Sequence, residues 1–192
     1  MRVNKKKFIY LISPNKIYKK FFKDLQKVLE TGKISFFQLR LKKYSFKHKI
    51  LIGHKIKKIC KKNKVKFLIN DDPILAKRLG ADGCHLGQKD MNIKEARKII
   101  GKKIIGITCH NSITVAKKAI KAKASYLAFG AFYSSKTKKT NYVANIKILK
   151  KIKKITKTPI IAINGINSEN YKNLLMNNAN FLAISGYKKK KK

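Results

Sequence analysis

Negative charge is what this sequence has least of. Eight Asp and Glu stand against 49 Lys and Arg in 192 residues, a formal net charge of +41. Long apolar runs are lacking too. None approaches the roughly 18 residues that a membrane-spanning helix needs, so no membrane partner is expected. The N-terminal stretch MRVNKKKFIYLISPNK starts basic but holds only about five apolar residues before a polar break. It is too short for a signal peptide and reads as a first strand. Cysteine is scarce: Cys60, Cys84 and Cys109 are odd in number and form no CxxC pair. That argues for a reducing, cytoplasmic setting and against a disulfide framework or a zinc site.

Hydrophobic residues make up 44% of the chain, which argues against a disordered basic segment. The length suits a single domain over residues 1–187, followed by a solvated basic tail at 188–192. Clustered Lys and Arg would suggest binding to phosphate backbones. Here the lysines are spread through every segment, alongside abundant Asn and Ile, so specific nucleic-acid recognition is not expected.

Short apolar runs alternate with longer Lys-rich stretches from end to end. Strands are expected at 8–12, 34–39, 65–69, 83–86, 103–107, 126–129, 160–163 and 181–184. Between them, apolar residues recur at helical spacing, as in Val143, Ile146, Leu149 and Ile152. Asp72-Pro73 signals a helix start, Gly80 a helix stop and Asn92 with Glu95 a capping box, while Ser168 precedes another helix. Strands joined by helices at this spacing make parallel βαβ units. Eight of them point to an α/β fold, a compact (β/α)8 TIM-type barrel, in preference to an open doubly wound sheet. After the eighth strand come Ser185, Gly186, Tyr187 and lysines, so the final helix is expected to be missing.

In such a barrel, active sites form at the C-terminal ends of the strands. The second strand runs into Gln38, Arg40 and Lys42 at alternate positions, so they share one face toward the mouth. Arg40 is one of four arginines, and its planar fork suits bidentate phosphate binding. Four of the eight carboxylates fall between positions 71 and 90. Asp72 is read as the helix cap and Asp82 as a turn residue, which leaves Asp71 and Asp90 free. Two carboxylates beside phosphate-binding cations suit Mg²⁺, which takes few protein ligands and completes its shell with phosphate and water. The fifth strand ends in Thr108, Cys109 and His110, and the sixth leads into the hydroxyl- and lysine-rich loop SSKTKKT. Asn164-Gly165 and Ser185-Gly186 end the last two strands, where backbone N–H groups commonly hold phosphate. His85 and His110 are read as structural.

FQLRLK, LIND, GADGCHLGQKD, GITCH, FGAFYSSKTKKT, AINGI and LAISG, in this order, resemble the thiamine phosphate synthase family over about positions 8 to 187. The resemblance implies a transferase of thiamine biosynthesis. It would join 4-amino-5-hydroxymethyl-2-methylpyrimidine diphosphate to a thiazole phosphate through a carbocation, releasing pyrophosphate with Mg²⁺ present. By motif match, Gln38, Arg40, Lys42, Asn70 and Lys138 would hold the pyrimidine diphosphate, with Thr108 in the usual serine's place. Arg40, Lys42 and Lys138 would serve catalysis by stabilising charge, and Asp71 and Asp90 would bind Mg²⁺. Ser135, Thr137, Gly165, Ile184 and Ser185 would surround the thiazole phosphate. Asn164 replaces the first glycine of the usual Gly-Gly pair, and Thr140 replaces an expected acidic residue. A thiazole tautomerase of the same barrel type and a non-catalytic basic nucleic-acid binder are the alternatives. The first would need neither diphosphate nor metal, and the second would not explain the clustered carboxylates. A strip left bare by a missing helix would favour a weak, salt-promoted homodimer.

Overall fold

The computed structural model describes residues 7–134 and 142–185. Among these residues eight strands alternate with seven helices. The order is β1 (Ile9–Ile12), α1 (Phe21–Glu30), β2 (Ile34–Leu39), α2 (Phe46–Lys62), β3 (Lys66–Asn70), α3 (Pro73–Leu79), β4 (Gly83–Leu86) and α4 (Ile93–Ile100). There follow β5 (Ile104–His110), α5 (Ile113–Lys121), β6 (Tyr126–Phe129), α6 (Lys147–Ile155), β7 (Ile160–Ile163), α7 (Tyr171–Met176) and β8 (Phe181–Ser185). Every strand pairs in parallel with its sequence neighbour, and β8 pairs with β1 to close the barrel. The expected fold class is the observed one.

Side chains on a strand alternate between two faces, and the closed sheet turns that alternation into an inside and an outside. Tyr10, Leu68, Tyr126, Ala128, Ile161 and Ala183 pack together within the barrel. Their neighbours Leu11, Phe67, Ile69, Leu127, Ile160 and Leu182 join the core between sheet and helices. The helices supply the other half of that layer. In α6 the buried residues are Ile148, Leu149 and Ile152, and lysines with the exposed Ile155 make up the rest. Each such side chain, fully buried, contributes about 1.5–3 kcal/mol against exposure.

The caps follow the sequence signals with one exception. Asp72 accepts from the Leu75 N–H at 2.8 Å, Gly80 ends α3 in the left-handed conformation, and Asn92 accepts from the Glu95 N–H at 3.0 Å. Ser168 does not cap α7. Asn167 holds that entry instead, its side chain accepting from the N–H groups of Glu169 and Asn170. Val143 also departs from expectation: it lies outside α6 and is 76% exposed. Its neighbours are tied to the β6 exit, because Ala131 donates to the Tyr142 carbonyl and Ala144 donates to the Ala131 carbonyl. Those bonds tie residues 142–144 to the β6 exit, and the helix begins only at Lys147. The outer face of β8, expected to be bare, is covered at Leu182, which is 1% exposed. Residues 186–192 lie outside the described part, as does any helix there.

Candidate active site

A cavity of about 470 Å³ opens at the C-terminal end of the strands, within the usual range for small-molecule sites. Its walls come from the inward positions of the strands and the first residues beyond them. Gln38, Arg40 and Lys42 all line it, as their alternate spacing predicts. Arg40 is fixed at two points. Its N–H donates to Ser13 Oγ at 2.8 Å, and its Nη1 donates to Asn15 Oδ1 at 3.0 Å. Gln38 is 2% exposed, and its amide Nε2 has no hydrogen-bond partner among the described residues. A buried donor without an acceptor is costly, so this nitrogen demands an acceptor from whatever fills the cavity.

Asp71 follows β3 with φ at +63°, in the left-handed region that asparagine and aspartate tolerate better than most residues. That turn brings Asp71 into the cavity lining. Its N–H donates to the His85 carbonyl at 2.8 Å, and its Oδ2 lies 3.1 Å from Lys42 Nζ. Asp90 also lines the cavity and accepts from the Gly87 N–H at 2.6 Å. Its pKa is raised, first by burial and then by the Asp71 carboxyl within hydrogen-bonding reach; the Gly87 bond and Lys42 oppose the rise. The short β4–α4 loop therefore brings the two predicted carboxylates together, and Asp72 is spent on its helix. Asp82 does more than turn the chain: its Oδ2 accepts from the Phe67 N–H at 2.8 Å and its Oδ1 meets Lys66 at 3.1 Å.

Asn70, Thr108 and Ser185 line the cavity as expected. Ile184 does not, since the alternation that turns Ser185 inward turns Ile184 away. Gly165 is likewise absent from the lining, although its neighbour Asn164 is present. Gly165 has φ at +70°, and a Cβ there would stand 2.4 Å from the Tyr133 carbonyl oxygen, so glycine is required where the two loops touch. Ser135, Thr137 and Lys138 lie outside the described residues.

The structure adds lining residues that sequence reasoning missed: Tyr10, Tyr126, Asn15 and Gln88, and His85, read as purely structural. Strand alternation was the available signal, since Tyr10, His85 and Tyr126 occupy inward positions. Gln88 Nε2 donates to the Thr108 carbonyl, bracing the end of β5. At the rim, His110 stacks on Tyr142 with ring centroids 3.9 Å apart.

Fold and cavity together define a (β/α)8 barrel enzyme whose mouth carries clustered cations and a carboxylate pair. The family profile described as thiamine monophosphate synthase matches residues 9–186. The chain is 66% identical over 190 residues to the thiamine-phosphate synthase of Pelagibacter ubique (strain HTCC1062), covering 97% of this chain and 92% of that one. It is 42% identical over 132 residues to the thiamine-phosphate synthase of Erythrobacter litoralis (strain HTCC2594), covering 67% and 62%. Among solved structures, the thiamine phosphate pyrophosphorylase of Pyrococcus furiosus superposes with a TM-score of 0.83 at 28% identity, covering 94% and 86%. The chain belongs to the thiamine-phosphate synthase family, a family of transferases.

Proposed function

We propose that this chain joins 4-amino-5-hydroxymethyl-2-methylpyrimidine diphosphate to 4-methyl-5-(2-phosphoethyl)thiazole, giving thiamine phosphate and pyrophosphate. The observation that carries the reading is the orphaned amide of Gln38. It sits buried in a cavity that also presents Arg40 and Lys42. A pyrimidine ring offers the acceptor that Gln38 lacks, and a diphosphate offers anionic oxygens to both cations.

The carboxylate pair fits Mg²⁺. Asp71 and Asp90 are hard oxygen donors, and the Asp71 carboxyl helps to raise the Asp90 pKa, a conflict a divalent cation relieves. Bound there, Mg²⁺ would neutralise charge on the departing diphosphate oxygens. The chain's own part is orientation and charge stabilisation. Arg40, braced by Ser13 and Asn15, holds the diphosphate in place. Gln38 and Asn70 orient the ring, and the apolar inner wall of Ile161, Ile163 and Ala183 limits water around the carbocation that forms when pyrophosphate leaves. The thiazole nitrogen then traps that cation, so no strong base is needed. Lys138 would add positive charge from the loop after β6, and Ser135, Thr137, Gly165, Ile184 and Ser185 would receive the thiazole phosphate, Gly165 and Ile184 through backbone N–H groups.

Purified protein supplied with both substrates and Mg²⁺ should release thiamine phosphate and pyrophosphate in equal amounts, and omitting either substrate should stop both. Full turnover in excess chelator would remove the metal from the scheme. No product from the complete mixture would remove the activity.

A further inference from the structure

Ser13, Gln38 and Thr108 are the buried polar side chains among the described residues, and all three line the cavity. Gln38 has a ligand in the reaction proposed above, whereas Ser13 enters it only as a brace for Arg40. That brace occupies half of the hydroxyl. Ser13 Oγ accepts from the Arg40 N–H at 2.8 Å. A hydroxyl also has one proton to donate, and among the described residues no acceptor meets the one on Ser13. Ser13 is 3% exposed. Beside the orphaned Gln38 amide, the cavity therefore holds a second buried donor that folding leaves unused.

This donor is firmly placed. Ser13 precedes Pro14, which disfavours a helical turn at Ser13. The Ser13 N–H donates to the Gln38 carbonyl at 2.9 Å, just beyond the pairing of Ile12 with Gln38. Two residues on, Asn15 Oδ1 accepts from Arg40 Nη1 at 3.0 Å. The β1 exit thus grips Arg40 at its backbone and at its guanidinium. A brace alone needs only an acceptor at position 13 and leaves the hydroxyl proton buried and idle, which is costly. A brace that also meets a ligand uses both halves of the hydroxyl. An oxygen that already accepts an N–H is a stronger donor, and the acceptor suited to it is an anionic oxygen, the kind Arg40 binds.

We propose that Ser13 is a ligand-binding residue of this site, its hydroxyl donating to a phosphate oxygen of the group that Arg40 holds. Ser13 then touches the ligand in its own right and not only through Arg40. That the group is the diphosphate of the pyrimidine substrate rests on the function proposed above.

Inorganic pyrophosphate, titrated into the full chain with Mg²⁺ present and followed by phosphorus NMR, reads this contact without turnover. Ser13→Ala should weaken its binding by about tenfold or more, the scale of a hydrogen bond to a charged group. Ser13→Thr keeps the hydroxyl and should bind nearly as the wild type does. An Arg40→Ala background separates the two roles, because the Arg40 N–H still anchors Ser13 there while the guanidinium is gone. Ser13→Ala should weaken binding again in that background. No further loss would reduce Ser13 to a brace and overturn the proposal. So would a loss in Ser13→Thr as large as in Ser13→Ala, or a wild-type chain that binds no pyrophosphate. Ser13-dependent binding of pyrophosphate by a chain without synthase activity would leave the proposal standing and reject the function alone.

Discussion

Gln38 has a side chain that folding alone leaves unsatisfied, which makes it a clean probe of what the cavity is for. Replacing it with leucine removes a buried orphan donor, so thermal stability should hold or rise. The KM for the pyrimidine diphosphate should rise about tenfold, the scale of one ligand hydrogen bond. A drop in melting temperature with unchanged KM would contradict both halves. Asp71 and Asp72 divide in the same way, one lining the cavity and one capping α3. Asp71→Asn keeps a residue suited to positive φ and should cut activity by on the order of 10²-fold or more at unchanged stability. Asp72→Ala should instead lower stability by about 1 kcal/mol, read in denaturant melts. Equal activity losses with equal stability would undo the division. Gln38, Arg40 and Lys42 were legible because period two is a strong signal beside a strand end. Tyr10, His85 and Tyr126 carry the same parity yet were missed, since alternation tells which face a residue occupies and not how near the mouth it sits.

At the level of elements, the strands were legible almost to the residue because each is a short apolar run bounded by lysine or a turn residue. β5 ran three residues beyond expectation, through Thr108, Cys109 and His110. A register shift against β6 accommodates the extra length, and that is tertiary information. Val143 misled for a related reason: helical spacing cannot reveal that Ala131 bonds to Tyr142 and Ala144 on either side of it. Asp82 shows how one turn residue joins three strands. Its side chain accepts from the Phe67 N–H, its own N–H donates to the Phe67 carbonyl, and its carbonyl accepts from the Ile104 N–H. Asp82→Ala should destabilise by about 1–3 kcal/mol by orphaning the Phe67 N–H, whereas Asp82→Asn keeps an acceptor there. The exposed pair with Lys66 adds little. Equal melting curves for the two variants would mean that the Phe67 bond does not matter.

For the molecule as a whole, the three cysteines and the net charge set the response to solution conditions. Cys60, Cys84 and Cys109 are buried, and burial pushes each thiol up to about 12. A folded pKa raised above its unfolded value gives stability that is complete below the unfolded value and is lost as pH climbs toward the folded one. Stability should therefore fall from about pH 9 upward, by up to about 1.4 kcal/mol per pH unit for each thiol. A thiol reagent should find no reactive cysteine in the native protein at pH 8 and three after denaturation; a fast-reacting native thiol would break the argument. The charge of +41 opposes self-association at low ionic strength. We expect a monomer there; the weak, salt-promoted dimer expected through a bare strip beside β8 loses part of its ground with Leu182 covered, and would show only as screening grows. Sedimentation at both extremes decides it, and a monomer throughout removes the dimer. Any binding to DNA or RNA should be indifferent to sequence and fade steeply with salt.

β8 hydrogen-bonds to both β7 and β1, which has a consequence for the protein while it is being made. Until Phe181–Ser185 leave the ribosome, the earlier strands form an open sheet whose two edges, β1 and β7, face nothing. Bare edges recruit strands from other chains. At roughly 5–20 residues per second the interval is brief, yet many copies can emerge side by side on one message. A net charge of +41 gives neighbouring chains like charge, which opposes such recruitment while the edges are bare.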